Sequence, residues 1–90
     1  MKTIHVIISG SVQGIGYRQW MKHQAQKLHI TGWVKNRTDG SVESVAAGDD
    51  QRVDTFITLS WQGPPLSHVM NVTVAPYTTK ETFSSFSVLQ

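Results

Sequence analysis

Cysteine is absent from the 90 residues. Disulfide staples, thiolate metal sites and a cysteine nucleophile are all excluded by that one fact. Charge is scarce as well: Asp, Glu, Lys and Arg make up 16% of the chain, against roughly 25% in an average soluble domain. The eight Lys and Arg residues are scattered and leave a formal net charge of +2, so the clustered basic stripe of a nucleic-acid binder is missing. No apolar run approaches the length of a membrane span. Residues 1–8 are too short an apolar stretch, interrupted at His5, to read as a signal peptide. There is no internal repeat and no low-complexity linker. The expectation is a single domain over residues 1–90, working in the cytoplasm.

Glycine, by contrast, is concentrated where it can do chemistry. Gly10, Gly14 and Gly16 lie between an apolar run at residues 4–8 and a segment of helical periodicity beginning near Tyr17. A strand, a glycine loop and a helix N-terminus in that order make a place for an anion. Glycine tolerates the positive φ angles that turn successive N–H groups inward. The first N–H groups of a helix have no internal partner and carry a partial positive charge. Arg18 adds a planar fork that matches a pair of phosphate oxygens. On these residues alone the loop reads as a phosphate-handling site.

The remaining pattern predicts the elements around it. Ile4, Val6 and Ile8 share one parity, as in a strand with one buried face. Tyr17, Met21, Ala25 and Leu28, joined by Trp20, mark one side of a helix ending near His29. Residues 33–36 and 42–46 read as strands around the turn Thr38-Asp39-Gly40. Val42 and Val45 differ in parity, which predicts an irregularity or a shift of face in that strand. Asp49 or Asp50 is placed to cap a second helix, whose apolar side is Val53, Phe56, Ile57 and Trp61 and which Gly63-Pro64-Pro65 stops. Met70, Val72 and Val74 alternate with Val69, Asn71 and Thr73 in a fourth strand, and Phe83, Phe86 and Val88 fall in a last short strand or packed tail. The order β-α-β-β-α-β with a short C-terminal strand implies an α+β, ferredoxin-like two-layer sandwich: an antiparallel sheet with both helices on one face.

Two stretches together resemble the signature motifs of the acylphosphatases. The first is Ile8-x-Gly10-x-Val12-Gln13-Gly14-Ile15-x-Tyr17-Arg18; the second is Gly32-Trp33-Val34-Lys35-Asn36, followed by Gly40-x-Val42 and Gly48. Ile15 and Tyr17 stand where that family more often has valine and phenylalanine or methionine, and the tail lacks the basic or aromatic ending of many relatives. The resemblance implies hydrolysis of acyl phosphates to a carboxylate and inorganic phosphate, without metal or organic cofactor, by a monomer. It further implies that Arg18 binds the phosphoryl group and Asn36 orients the attacking water. The backbone of Gln13, Gly14, Ile15, Gly16, Tyr17 and Arg18 would cradle the phosphate oxygens.

The same residues admit other readings. The loop lacks the Gly-Lys-Ser/Thr ending of a nucleotide P-loop. Asn36 alone would be a turn residue, Lys35 and Arg37 solvated charges, and His5, His23, His29 and His68 surface or partly packed residues rather than metal ligands. Trp20, Trp33 and Trp61 are expected in the core or at its rim. An RNA-binding sheet would need aromatics on its central strands, where this chain offers His5 and Ile7. A domain that binds an anion without chemistry shares the loop and differs only in having no use for Asn36.

Overall fold

Alternation along the first strand decides which way the sheet faces. In a computed structural model that describes residues 1–89, Ile4, Val6 and Ile8 are buried while His5 and Ile7 are half-buried on the other face. This strand, β1 (Lys2–Ser11), leads through the glycine loop into α1 (Tyr17–Lys27). β2 (Thr31–Asn36) and β3 (Val42–Gly48) follow as a hairpin, then α2 (Asp50–Gln62), β4 (His68–Pro76) and β5 (Phe86–Val88). The strands form one sheet in the order β4-β1-β3-β2-β5. The first four pair antiparallel, as the sequence predicts, whereas β5 is added parallel to β2. The core lies between sheet and helices: Tyr17, Met21 and Ala25 from α1 and Val53 and Phe56 from α2 meet Val6, Ile8, Val34, Val42 and Ala46. At about 1.5–3 kcal/mol for each fully buried large apolar side chain, this cluster is the main stabilising term.

Several expectations are corrected. The strand β3 has no irregularity: its register with β1 and β2 is continuous. Val42 faces the helices, and Val45, fully buried, faces the other way between His5 and Trp33, its partners on β1 and β2. A central strand is covered by neighbours on both faces, so opposite parities can both be apolar. The irregularity lies instead on β4, where Ser9 pairs with Asn71 but Gly10 pairs with Val69, leaving Met70 as an extra residue. That bulge puts Val69 and Val72 against the core and leaves Met70 largely exposed, so Met70 and Val72 do not share a face. Gly10 has φ 123°, and a Cβ there would run into the His68 carbonyl, so glycine is what lets the strands approach at the bulge.

Asp49 occupies the N-cap of α2 but makes no side-chain cap hydrogen bond. Asp50 in the first turn instead pairs with the Met1 amine at 3.2 Å. Trp20 packs against the core, but Trp61 is 48% exposed and lies outside it, because Ser60 takes the buried position beside it. The helix α1 ends at Lys27, with His29 left-handed at φ 54° just beyond. Trp33, half-buried on the open face, lies beneath the Lys35 ammonium, 5.4 Å from its ring centre. In the tail, Phe86 is buried and Leu89 donates its N–H to the Val34 carbonyl at 2.8 Å, while Gln90 lies outside the described residues.

Candidate active site

The chain leaves β1 at Ser11 and must reverse direction before α1 can lie back across the sheet. Val12 is buried and anchors the start of the turn. Gly14 (φ 77°) and Gly16 (φ 82°) then take left-handed conformations that side chains resist. Gly16 is the N-cap of α1 and, being glycine, brings no side-chain oxygen to the first-turn N–H groups. Its carbonyl accepts the first helical hydrogen bond, from Trp20 N–H at 3.0 Å. No acidic residue lies in that first turn. Among the described residues, the backbone N–H groups of residues 13–19 find no acceptor in the protein. The loop therefore offers donors and the positive end of a helix, with no nearby carboxylate in the turn to repel an anion.

A cavity of about 100 Å³ opens at this point, lined by Val12, Gly14, Gly16, Tyr17, Arg18, Gln19, Asn36 and Val88. Arg18 and Asn36, eighteen positions apart in sequence, thus face one space. Two tertiary contacts bring them there. The Gln13 side-chain amide donates to the carbonyls of Arg37 and Ser41, both at 2.8 Å, and so ties the β2–β3 hairpin to the loop. From the other side, Arg18 Nη1 donates to the Leu89 carbonyl at 3.0 Å, just after β5, which holds the guanidinium at the rim. Asn36 shares parity with Val34 and so turns toward the helix side of the sheet. Its Oδ1 is buried and meets no hydrogen-bond partner among the described residues. An acceptor left unpaired in this way costs about 1–3 kcal/mol, which singles Asn36 out among the residues that line the cavity.

Tyr17 fixes the floor. Its ring is buried, stacks obliquely on Trp20 at 5.5 Å, and its hydroxyl donates to the Ser60 carbonyl at 2.7 Å. Pro64 has no N–H and the chain turns left-handed at Gly63 (φ 64°), so no helical donor reaches that carbonyl and the phenol takes the place of one. Burial pushes the phenol's pKa well above its ordinary value, and it stays protonated as a donor. The side chains of Gln13 and Ile15 are used elsewhere, Gln13 as an amide tie to the hairpin and Ile15 in packing on the core, so only their backbone is left for the predicted cradle. Val12, Gln19 and Val88 line the cavity and were not predicted. Gln19 was legible as the neighbour of Arg18 in a first helical turn; Val88 carries no local signal, because only the parallel pairing of β5 with β2 brings it there. Among the described residues no group of three His, Asp or Glu side chains is arranged to hold a metal ion.

The acylphosphatase family model matches residues 4–88. The chain belongs to the acylphosphatase family. It is 44% identical over 84 residues to an acylphosphatase of Pelotomaculum thermopropionicum, covering 93% of this chain and 91% of that one. Among solved structures it superposes on the acylphosphatase of Bacillus subtilis with a TM-score of 0.95 at 34% identity, each chain covered completely. An acylphosphatase from Coxiella burnetii gives 0.93 at 39% identity, over 98% of this chain and 92% of that one. The ferredoxin-like α+β architecture is thus that of acylphosphatases of known structure.

Proposed function

We propose that this chain hydrolyses small acyl phosphates to a carboxylate and inorganic phosphate. In this reading the backbone N–H groups of residues 13–18 and the Arg18 guanidinium hold the phosphoryl oxygens, and Asn36 orients the attacking water. The observation that carries it is the buried, partnerless Oδ1 of Asn36 in the same cavity as Arg18 and the glycine loop. A domain that only held an anion would have no use for an unpaired acceptor beside it.

An acyl phosphate is a mixed anhydride whose leaving group, a carboxylate, needs no proton. What remains is to place a water in line behind phosphorus and to stabilise charge on the phosphoryl oxygens. Asn36 Oδ1 accepts one water hydrogen and Nδ2 is left to donate to a phosphoryl oxygen. The water oxygen bonds to phosphorus, the bond from phosphorus to the acyl oxygen breaks, and its electron pair leaves on the carboxylate. Asn36 is too weak a base to keep the water's proton, which passes to a phosphoryl oxygen. Removing one aimed donor from a site of this type costs about 10²–10³ in rate. The reading also takes the chain to act as a cytoplasmic monomer on small substrates and not on nucleic acid, the last supported by its scattered cations.

The test is turnover of benzoyl phosphate in excess chelator by the wild type, Arg18→Ala and Asn36→Ala. Phosphate release by the wild type is expected, with a loss of at least about 10² in kcat/KM for each variant. Inorganic phosphate binding should weaken chiefly in Arg18→Ala. A folded wild type without turnover would leave an anion-binding domain; unimpaired Asn36→Ala would remove the water-positioning role.

A further inference from the structure

The two edges of the sheet differ in kind. β5 is three residues long, whereas β4 at the other edge runs for nine, and among the described residues no strand pairs with its outer side. Sheets usually guard such an edge with charge, proline or a bulge, because its free N–H and C=O groups are a template for another strand. Here residues 63–79 contain no Asp, Glu, Lys or Arg. The bulge at Met70 and the proline at Pro76 stand at the ends and leave residues 71–75 between them unguarded. Trp61, Leu66, Met70 and Val74 are four of the six large apolar side chains exposed among the described residues, and all belong to β4, the end of α2 or the link between them. Ile57 shares a depression with Val74 and Pro76, and Trp61 follows one turn later on the same side of α2, so the flank beside the edge is apolar too. We propose that the β4 edge pairs with the β4 edge of a second copy of this chain, antiparallel about a twofold axis at Thr73.

The occupant is a second copy because the free atoms of this edge answer one another. Tyr77 N–H donates to the Thr3 carbonyl at 3.0 Å, extending the register in which His5 faces Ala75 and Ile7 faces Thr73. Backbone groups alternate along a strand, so Thr73 and Ala75 turn theirs to β1 while Val72 and Val74 turn theirs outward. Pro76, which has no N–H, falls on that outer side, where a proline is tolerated. With Val72 of one copy opposite Val74 of the other, both outward N–H groups of each chain meet a facing carbonyl. Sliding the pair by two residues would set the Pro76 ring against a Val72 carbonyl, which then has no donor. In the first register Thr73 lies opposite Thr73 of the second copy, on the face away from the helices, and valines oppose valines on the helix side. A strand without charge meets itself without like-charge repulsion. The phosphate cavity takes its lining from the glycine loop, α1, β2 and β5, so each copy keeps its own site and the single chain stays the catalytic unit.

The test is sedimentation equilibrium from micromolar to millimolar protein. The wild type should pass from the mass of one chain toward that of two, and no further. Thr73 is exposed, and Thr73→Lys or Thr73→Glu sets like charges opposite each other on the axis, so each variant alone should stay a single chain. An equimolar mixture of the two should pair again, which misfolded variants would not do. The chain has no cysteine, so Thr73→Cys reads the register directly. Opposite residues of a non-hydrogen-bonded pair stand about 4.5 Å apart at Cα, within disulfide reach, and air oxidation should link two copies. Asn71→Cys, whose counterpart lies four residues away along the facing strand, should not link. A wild type that stays a single chain at every concentration, a mass that grows past two chains, or association that Thr73→Lys leaves intact would overturn the pairing. None of these readings involves turnover, so their failure leaves the hydrolase reading untouched.

Discussion

Replacing Tyr17 with phenylalanine removes a single oxygen atom, and the structure says what that atom is worth. The hydroxyl is the donor for the Ser60 carbonyl at 2.7 Å, and both residues are 1% exposed. Water cannot take over there, so the variant buries an acceptor with no partner, at a cost of about 1–3 kcal/mol. Ring packing against Trp20 and the core is kept, so no cavity contribution is added. For a domain this size m in urea is about 1–1.5 kcal/mol/M, and a loss near 2 kcal/mol lowers the midpoint by roughly 1.5 M with m unchanged. The same loss lowers Tm by about 8–16 °C. Ser60→Ala is the control: it removes only the hydroxyl that donates to the Phe56 carbonyl at 2.8 Å, leaves the Ser60 carbonyl and Tyr17 paired, and should cost less. A Tyr17→Phe midpoint within about 0.3 M of wild type would refute the reasoning, since the carbonyl would then have another partner. The raised phenol pKa makes a linked prediction for alkaline pH. The charged form is disfavoured in the folded state, so this stability is present below the unfolded value of about 10 and is lost as pH rises above it. Tyr17→Phe should accordingly flatten the alkaline limb of a stability–pH curve.

Gln13→Ala cuts both ties from loop to hairpin; we expect a loss of roughly 10-fold or more in kcat with phosphate affinity largely retained, since Arg18 and the loop amides stay in place. Inorganic phosphate titrations beside steady-state kinetics separate the two, and parallel losses would deny Gln13 a role specific to Asn36. Gly16→Ala forces a Cβ into φ 82° at the N-cap of α1, with no atom nearby to clash, so its cost is backbone strain of about 1–2 kcal/mol, read by urea unfolding. At acid pH, burial alone would raise the Glu43 carboxyl, but the His5 hydrogen bond, with Lys35 and Arg37 nearby, outweighs it and holds the pKa below its ordinary 4.5. Its folded-state value is depressed, so its contribution is complete above about 4.5 and disappears as pH falls through the lower folded value. Glu43→Gln should therefore be less sensitive than wild type to acid between pH 5 and the acid transition, in unfolding followed by circular dichroism.

Local pattern carried most of the architecture. The parity of Ile4, Val6 and Ile8, the helical spacing of Tyr17, Met21 and Ala25, and the Gly63-Pro64 stop each act over a few residues, so they can be read without knowing what lies opposite. The anion loop was legible for the same reason: Gly14, Gly16 and Arg18 sit within five positions, and positive φ, free N–H groups and a guanidinium need nothing distant to make sense. Where local reading failed, a neighbour in space had decided the matter. Val45 is buried because β3 is flanked by His5 and Trp33, and Met70 is exposed because β4 gains a residue against Gly10. Trp61 lies outside the core because Ser60 has the inward position.

The order of residues alone determined a two-layer α+β sandwich and a phosphate-directed bend, because periodicity and glycine conformation are properties of short segments. Tertiary structure decided that Asn36 meets Arg18. That meeting depends on a Gln13 amide reaching across to the hairpin, on β5 pairing parallel to β2, and on a Leu89 carbonyl holding a guanidinium at the rim. Each is a contact between residues far apart in the chain. Such contacts form only because closing the sandwich over one core makes up for the entropy of bringing them together.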